Sequence, residues 1–220
     1  MELISNAYNC DCIDFMRGFE DKSFALGIAD PPYGISRFDG KTQGSGKLKN
    51  PILNNDNIDR WDKAPSKDFF DELFRVCENV IIWGGNYFAL PPTRCFVCWD
   101  KVQPWSNFSQ CEYAWTSFDK PAKLFRWDNR RGGKIHPTEK PVELYAYLLK
   151  TFAKEGDVIF DPMMGSQSSR IAAYRLGFDY YGCEIDQEYF DQGCERFRRE
   201  CQGESTLSDG HTAKQLKLWK

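Results

Sequence analysis

The sequence predicts a doubly wound α/β fold, a Rossmann-like and mostly parallel sheet with helices on both faces. Three observations carry that prediction. Short apolar runs with the character of buried strands alternate with segments of helical periodicity along the 220 residues. Four acids, Asp11, Asp30, Asp161 and Glu184, each stand at the end of such a run. The run that closes on Asp161 passes through a tight turn at Gly165 into a helix. Ligands of doubly wound sheets sit at the carboxyl ends of strands, and four charged strand ends are more than solvation requires.

Taken in order, Ala7-Tyr8-Asn9 reads as a short strand stopping at Cys10-Asp11, with Ile13 and Met16 on one side of the helical segment that follows. Phe24–Ala29 is a strand that breaks at Asp30-Pro31-Pro32-Tyr33. Residues 34–60 hold four glycines, Gly34, Gly40, Gly44 and Gly46, and the cations Arg37, Lys41, Lys47 and Lys49, with little periodicity. So long a loop in a compact domain is usually functional or disordered, and its place after the Asp30 turn favours a mobile, substrate-facing lid. Ser66 is placed to cap a helix carrying Phe69, Phe70, Leu73, Phe74 and Cys77 at helical spacing. Strands are expected at Asn79–Trp83, Cys95–Trp99 and Glu112–Phe118.

The second half repeats the alternation. Pro141 suits the first turn of a helix whose Val142, Tyr145, Leu148, Leu149 and Phe152 share a face. Asp157–Phe160 is a buried strand, and the helix around Arg170–Leu176 stops at Gly177. Tyr180–Cys183 is the last strand, and Asp186 caps a final helix bearing Phe190, Cys194, Phe197 and Cys201. The expected organisation is one domain over residues 1–202, with a polar tail over 203–220.

A formal charge of -3 excludes coating nucleic acid through bulk charge, but it leaves room for a local patch. The segment 119–134 supplies one: Lys120, Lys123, Arg126, Arg130, Arg131 and Lys134 stand against two acids, with Phe125 and Trp127 among them. A solvated surface loop is the plain alternative. Nine cysteines, with no signal peptide and no apolar run near membrane length, point to a reducing cytoplasm and no membrane. Cys95 and Cys98 would fall on opposite faces of a strand, and the chain has only His136 and His211, so no metal is expected.

Asp30-Pro31-Pro32-Tyr33 offers a carboxylate, two carbonyls fixed by proline rings and one ring face. That set suits a flat, amino-bearing ligand; a strand-ending turn with an incidental tyrosine is the alternative. The turn at Gly165 lets a ligand approach backbone and a helix N-terminus, and Glu184 lies where an acid takes a ribose diol in dinucleotide folds. The spacing is not Gly-x-Gly-x-x-Gly, so a pyrophosphate cradle is poorly supported.

Together these motifs resemble the amino-group DNA methyltransferases that use S-adenosylmethionine, in the permuted beta class where the catalytic motif precedes the cofactor motif. The resemblance spans residues 9 to about 200. It implies a seven-stranded class I methyltransferase sheet, with its antiparallel strand drawn from 95–118. It assigns Asp30, Pro31, Pro32 and Tyr33 to catalysis. It assigns Asp11, Asp161, Pro162, Met163, Gly165, Ser166 and Glu184 to the cofactor, with His136, Thr138 and Lys140 from the segment that wraps the methionine part. Lys41, Lys47, Lys49, Lys123, Arg126, Arg130, Arg131 and Lys134 are expected to meet double-stranded DNA.

The target would be a flipped-out adenine, methylated at N6, with Tyr33 as its stacking face. Cytosine-N4 methylation, a cofactor-deficient nucleic-acid-binding relative, and an RNA or protein-amide methyltransferase are the alternatives. Two departures from the family pattern stand out. Met163 and Gln167 occupy places where the family has Phe and a second glycine, and a side chain at 167 either crowds the cofactor or points outward. Only 119–134 occupies the place of a target-recognition domain, so recognition is expected to be short, relaxed, or supplied by the 34–60 loop or a second subunit.

Overall fold

A computed structural model describes residues 3–35, 62–104, 109–128, 139–206 and 212–214. Eight strands form the main sheet: β1 (Ser5–Asn9), β2 (Phe24–Ala29), β3 (Cys77–Trp83), β4 (Phe96–Asp100), β5 (Cys111–Thr116), β6 (Lys123–Arg126), β7 (Val158–Asp161) and β8 (Asp179–Glu184). Their order is β1-β8-β7-β2-β3-β5-β4-β6. β5 runs antiparallel to both its neighbours, and the other pairings are parallel. The antiparallel strand therefore falls within 95–118, as expected. The sheet has eight strands rather than seven because Lys123–Arg126 pairs with Val97–Asp100 and extends the edge. In the polar tail, Glu204–Thr206 and Thr212–Lys214 pair as an antiparallel ribbon.

Helices cover both faces. On one side lie α1 (Cys12–Arg17) and α2 (Lys67–Val76); on the other lie α3 (Val142–Phe152), α4 (Ser168–Leu176) and α5 (Gln187–Phe197). α2 buries Phe69, Leu73 and Val76 and passes straight into β3 at Cys77, two residues before the strand start read from the sequence. Gly27 of β2 permits this contact, since a Cβ there would stand 2.7 Å from Cys77 Sγ. α3 buries Leu144, Tyr145, Leu148, Leu149 and Phe152 on its opposite face of the sheet. Each such aliphatic or aromatic side chain contributes about 1.5–3 kcal/mol on burial. Phe125 and Trp127 pack into this same cluster, Phe125 with its ring 4.9 Å from that of Tyr147, so they serve the core.

Capping follows the sequence at Asp186 but not at Ser66, which precedes α2 without a side-chain capping bond. Asp11 Oδ1 accepts from the backbone N–H groups of Ile13 and Asp14, and Asp186 Oδ1 accepts from those of Glu188 and Tyr189. Gly177 ends α4 in the left-handed region at φ 80°.

Candidate active site

The four acids named from the sequence gather on one edge of the sheet. Asp161 and Glu184 are the last residues of β7 and β8, Asp30 follows β2, and Asp11 lies two residues beyond β1. Those strands are consecutive in the order β1-β8-β7-β2, so the acids form a row. The register puts Asn9 opposite Glu184 and Asp161 opposite Gly182.

At the β2 end, Tyr33 donates its hydroxyl to Asp30 Oδ1 at 3.0 Å. The Tyr33 ring stacks on Tyr87, with centroids 5.0 Å apart and planes 19° apart. Tyr87 belongs to a 3₁₀ turn, Gly85–Tyr87, which follows Gly84 in the left-handed region at φ 65°. A Cβ at Gly84 would lie 2.3 Å from the Tyr33 ring, so this glycine makes room for the aromatic. Lys140 Nζ lies 2.5 Å from Asp30 Oδ2 and 3.2 Å from Glu112 Oε2, and it donates to Tyr33 Oη at 3.4 Å. The ammonium is 5.2 Å from the centre of the Trp83 ring. Lys101 forms an ion pair with the other oxygen of Glu112.

Burial raises the Asp30 carboxyl above the usual carboxylate range, against the pull of the Lys140 ammonium. Burial also pushes the Tyr33 phenol up, with the Asp30 charge adding to it. Burial would lower Lys140, but Asp30 and Glu112 overcome it and hold the amine well above its ordinary value. Glu112, though buried, sits below its ordinary value because of Lys140 and Lys101.

At the β7–β8 end, Glu184 Oε2 accepts from Gly165 N at 2.9 Å and Oε1 from Asp186 N at 2.8 Å. Each oxygen keeps a further lone pair, and Ile185 beside it is 70% exposed. A carboxylate fixed this way, with an open apolar neighbour, fits a nucleoside's ribose diol and base. Asp161 ties the turn to α4: Oδ1 accepts from Met163 N at 3.0 Å and Oδ2 from Ser169 Oγ, in the first turn of that helix, at 2.5 Å. Burial drives its carboxyl up to about 7. Ser166 gives its carbonyl to Arg196, which also reaches Ser168 Oγ at 2.9 Å and Glu139 Oε1 at 3.2 Å. Met163 packs into the core on the α1–α2 side, and Pro162 is buried beside it.

Gln167 starts α4 in the left-handed region, φ 59° and ψ 24°, the conformation that a glycine there adopts freely. Its buried side chain turns toward α5, donating from Nε2 to the Phe190 carbonyl and accepting at Oε1 from Arg170. The amide therefore packs between helices instead of entering the turn at Gly165.

Of the expected DNA contacts, Lys123 and Arg126 lie on edge strand β6, with the Arg126 side chain 71% exposed and 2.9 Å from Asp100 Oδ2. Lys41, Lys47, Lys49, Arg130, Arg131, Lys134, His136 and Thr138 lie outside the described residues, as does most of the 34–60 loop. Glu112, Arg196 and the Gly84–Tyr87 turn are site neighbours to which the sequence reading gave no role. Among the described residues, no cluster of His, Cys, Asp and Glu could hold a metal ion, and no helix is long and apolar enough to cross a membrane.

A doubly wound sheet with a carboxylate-proline turn after β2 and an acid at the end of β8, both on its ligand edge with β7 between them, suits a nucleoside cofactor and an amino-bearing ring. Comparison with known proteins narrows the class: residues 61–195 match the DNA methylase family model, and the chain belongs to that family of amino-group DNA methyltransferases. Members transfer the methyl group of S-adenosylmethionine to an amino group of a DNA base. The chain is 27% identical over 246 residues to the Type II methyltransferase M2.MboI of Moraxella bovis, covering 87% of each. The M1.HpyAVI–SAM complex has a similar fold, with TM-score 0.57 and 18% identity over 87% of this chain and 98% of that one. So does the cytosine-N4-specific PvuII DNA methyltransferase, with TM-score 0.59 and 16% identity over 92% and 95%.

Proposed function

We propose that the protein methylates the N6 amino group of adenine in double-stranded DNA, with the target base flipped out against the Asp30–Tyr33 turn. The observation that carries this reading is the adjacency of that turn to the Gly165–Glu184 cradle, on neighbouring strands of one sheet edge. When bound, S-adenosylmethionine supplies an electrophilic methyl group on a sulfonium. Glu184 would hold its ribose and Gly165 would let it approach the backbone, with Asp161, Pro162, Met163 and Ser166 shaping the turn. Asp11, His136 and Thr138 would complete the site by family resemblance.

An exocyclic amino group is a poor nucleophile because its lone pair is delocalised into the ring. Hydrogen bonds from its two hydrogens to Asp30 and to the Pro31 carbonyl localise that lone pair and aim it. The Asp30 charge stabilises the positive charge that develops on nitrogen. The nitrogen gains the methyl carbon and then loses a proton, which water can take. Pro32 stiffens the turn, and Tyr33 offers a ring against the base while its hydroxyl orients Asp30. Lys123 and Arg126 would hold phosphates together with the basic groups of 37–49 and 130–134, making binding salt-dependent. The aspartate heading the motif favours adenine by family resemblance. The Type II relative supports a place in a restriction–modification system.

The test is methyl transfer from labelled cofactor onto unmethylated DNA, followed by digestion to nucleosides, with Asp30→Ala as control. N6-methyladenine formed by the parent and lost in Asp30→Ala is the expected result. N4-methylcytosine without methyladenine would overturn the base assignment. Equal incorporation by both proteins would overturn the role of Asp30.

A further inference from the structure

Lys140 and Glu112 present a problem for the chemistry just described. An ammonium 2.5 Å from Asp30 cancels the charge that the reacting nitrogen needs, yet it is buried there, 4% exposed. Glu112 answers it from the far side at 3.2 Å. It reaches the site because β5 is antiparallel, so that its beginning lies where the parallel strands end. Lys101, at the outer end of the chain of charges, holds the opposite oxygen of Glu112 beside the Trp99 ring.

From this arrangement we infer that Glu112 and Lys140 are positioning residues for the catalytic carboxylate: Lys140 keeps Asp30 ionised and aimed, and Glu112 offsets the Lys140 charge so that Asp30 remains an effective acceptor for the target amino group. The inference rests on the proposed base-methylating role of Asp30. It moves Lys140 from the methionine end of the cofactor to the target-base half of the site. Asp30, Lys140 and Glu112 sum to one negative charge, where Asp30 and Lys140 alone would sum to zero; Lys101 offsets the remainder from the far side of Glu112, one residue further from Asp30.

The other ionisable groups facing Asp30 are Tyr33 on its own turn, Tyr145 of α3 and Asp161 of β7, with Lys101 behind Glu112. None can substitute for the pair. Tyr33 and Tyr145 are held neutral by burial, and Asp161, its carboxyl raised to about 7, accepts from Met163 N and Ser169 Oγ rather than pairing with Lys140. Removing the cation should raise the Asp30 pKa, and removing Glu112, a like charge, should lower it. A side chain that merely filled space would do neither.

The experiment compares Lys140→Met, Glu112→Gln and the double variant with the parent protein. It reads the Asp30 titration by carboxyl carbon-13 NMR, assigned by its loss in Asp30→Asn, and the pH profile of kcat for methyl transfer to DNA. In Lys140→Met, the Asp30 pKa and the acid limb of kcat should rise by a unit or more. In Glu112→Gln both should fall, with kcat on the plateau at least tenfold lower and Kd for S-adenosylmethionine by calorimetry within threefold of the parent. The double variant removes one cation and one anion together, so it keeps the net charge of the cluster and separates the effect of charge from that of folding. Shifts in the same direction for both single variants, or an unmoved Asp30 with a tenfold loss of cofactor affinity in Lys140→Met, would overturn the inference. The NMR readout needs no turnover: opposite shifts in a parent that methylates no DNA would retain the charge relay and discard the proposed function.

Discussion

Gln167 occupies the space that Gly193 leaves open: a Cβ on Gly193 would stand 2.7 Å from Gln167 Cγ and 2.9 Å from its Nε2. The pair explains how a non-glycine residue is kept at a left-handed position beside the candidate cofactor turn. The strained backbone at 167 costs about 1 kcal/mol. The buried amide offsets it by bonding the Phe190 carbonyl and the Arg170 guanidinium, whose other nitrogens reach Ser5.

This contact makes the effect of Gly193→Ala depend on residue 167. In the parent, overpacking a filled interface costs about 1–3 kcal/mol and outweighs the gain of about 1 kcal/mol from alanine in a helix. In Gln167→Gly the space is empty, and the same substitution should stabilise. Urea unfolding of the four proteins of the cycle checks the sign reversal; equal effects in both backgrounds would show that the contact carries no energy. Gln167→Gly alone should lose about 1–2 kcal/mol, because the hydrogen bond from half-buried Arg170 outweighs the relief of strain.

Asp161 predicts a pH dependence. Its carboxyl is raised to about 7 in the folded chain, well above the value near 3.9 expected of an unfolded aspartate. The folded state therefore favours the protonated form. The stability it contributes is complete below about pH 4 and is lost as pH rises through 7, amounting to about 4 kcal/mol across that window. Asp161→Asn keeps an acceptor for Met163 N and an amide facing Ser169, and it does not ionise. The variant should gain on the parent in urea midpoint as pH rises from 5 to 8. A constant difference over that range would refute the raised value.

What the sequence disclosed follows from where strands point. Acids closing parallel strands are visible as apolar runs that stop on a charge, so Asp30, Asp161 and Glu184 could be placed on one edge before any coordinates. Glu112 escaped because it lies near the start of the one antiparallel strand, where a strand-end rule does not look. For Lys140, membership of the His136–Pro141 segment does not disclose that its long side chain reaches Asp30 after β2. The eighth strand was hidden by its charges: Lys123-Leu124-Phe125-Arg126 reads as a basic patch, whereas alternate residues face the core and solvent. Gln167 left two outcomes open, and only packing against α5 decides between them.

Arg196 is the clearest functional neighbour without a sequence signal. Buried to 9% exposure, it joins the Ser166 carbonyl of the candidate cofactor turn and Ser168 at the start of α4 to Glu139, beside Lys140. Arg196→Met keeps much of the volume and removes these bonds. Loss of a buried, hydrogen-bonded cation should cost about 3 kcal/mol. It should also loosen the turn, raising Kd for S-adenosylmethionine about tenfold by calorimetry. An unchanged Kd in a folded variant would confine Arg196 to stability.

Gly84 makes the last case, because its effect should reach catalysis without touching the cofactor. Alanine there meets two obstacles, the left-handed φ of 65° and the Tyr33 ring 2.3 Å from the new Cβ. The backbone term is about 1–2 kcal/mol, and the ring must move because the obstruction is its body and not a flexible tip. Moving the ring breaks the Tyr33 hydroxyl bond to Asp30 and the stack on Tyr87. Tyr33→Phe removes the hydroxyl bond alone. If the aromatic face and the hydroxyl both serve the target base, Gly84→Ala should lower kcat for methyl transfer at least tenfold further than Tyr33→Phe, while both variants bind S-adenosylmethionine as the parent does. Equal kcat losses would mean that the ring's position is immaterial and only its hydrogen bond to Asp30 counts.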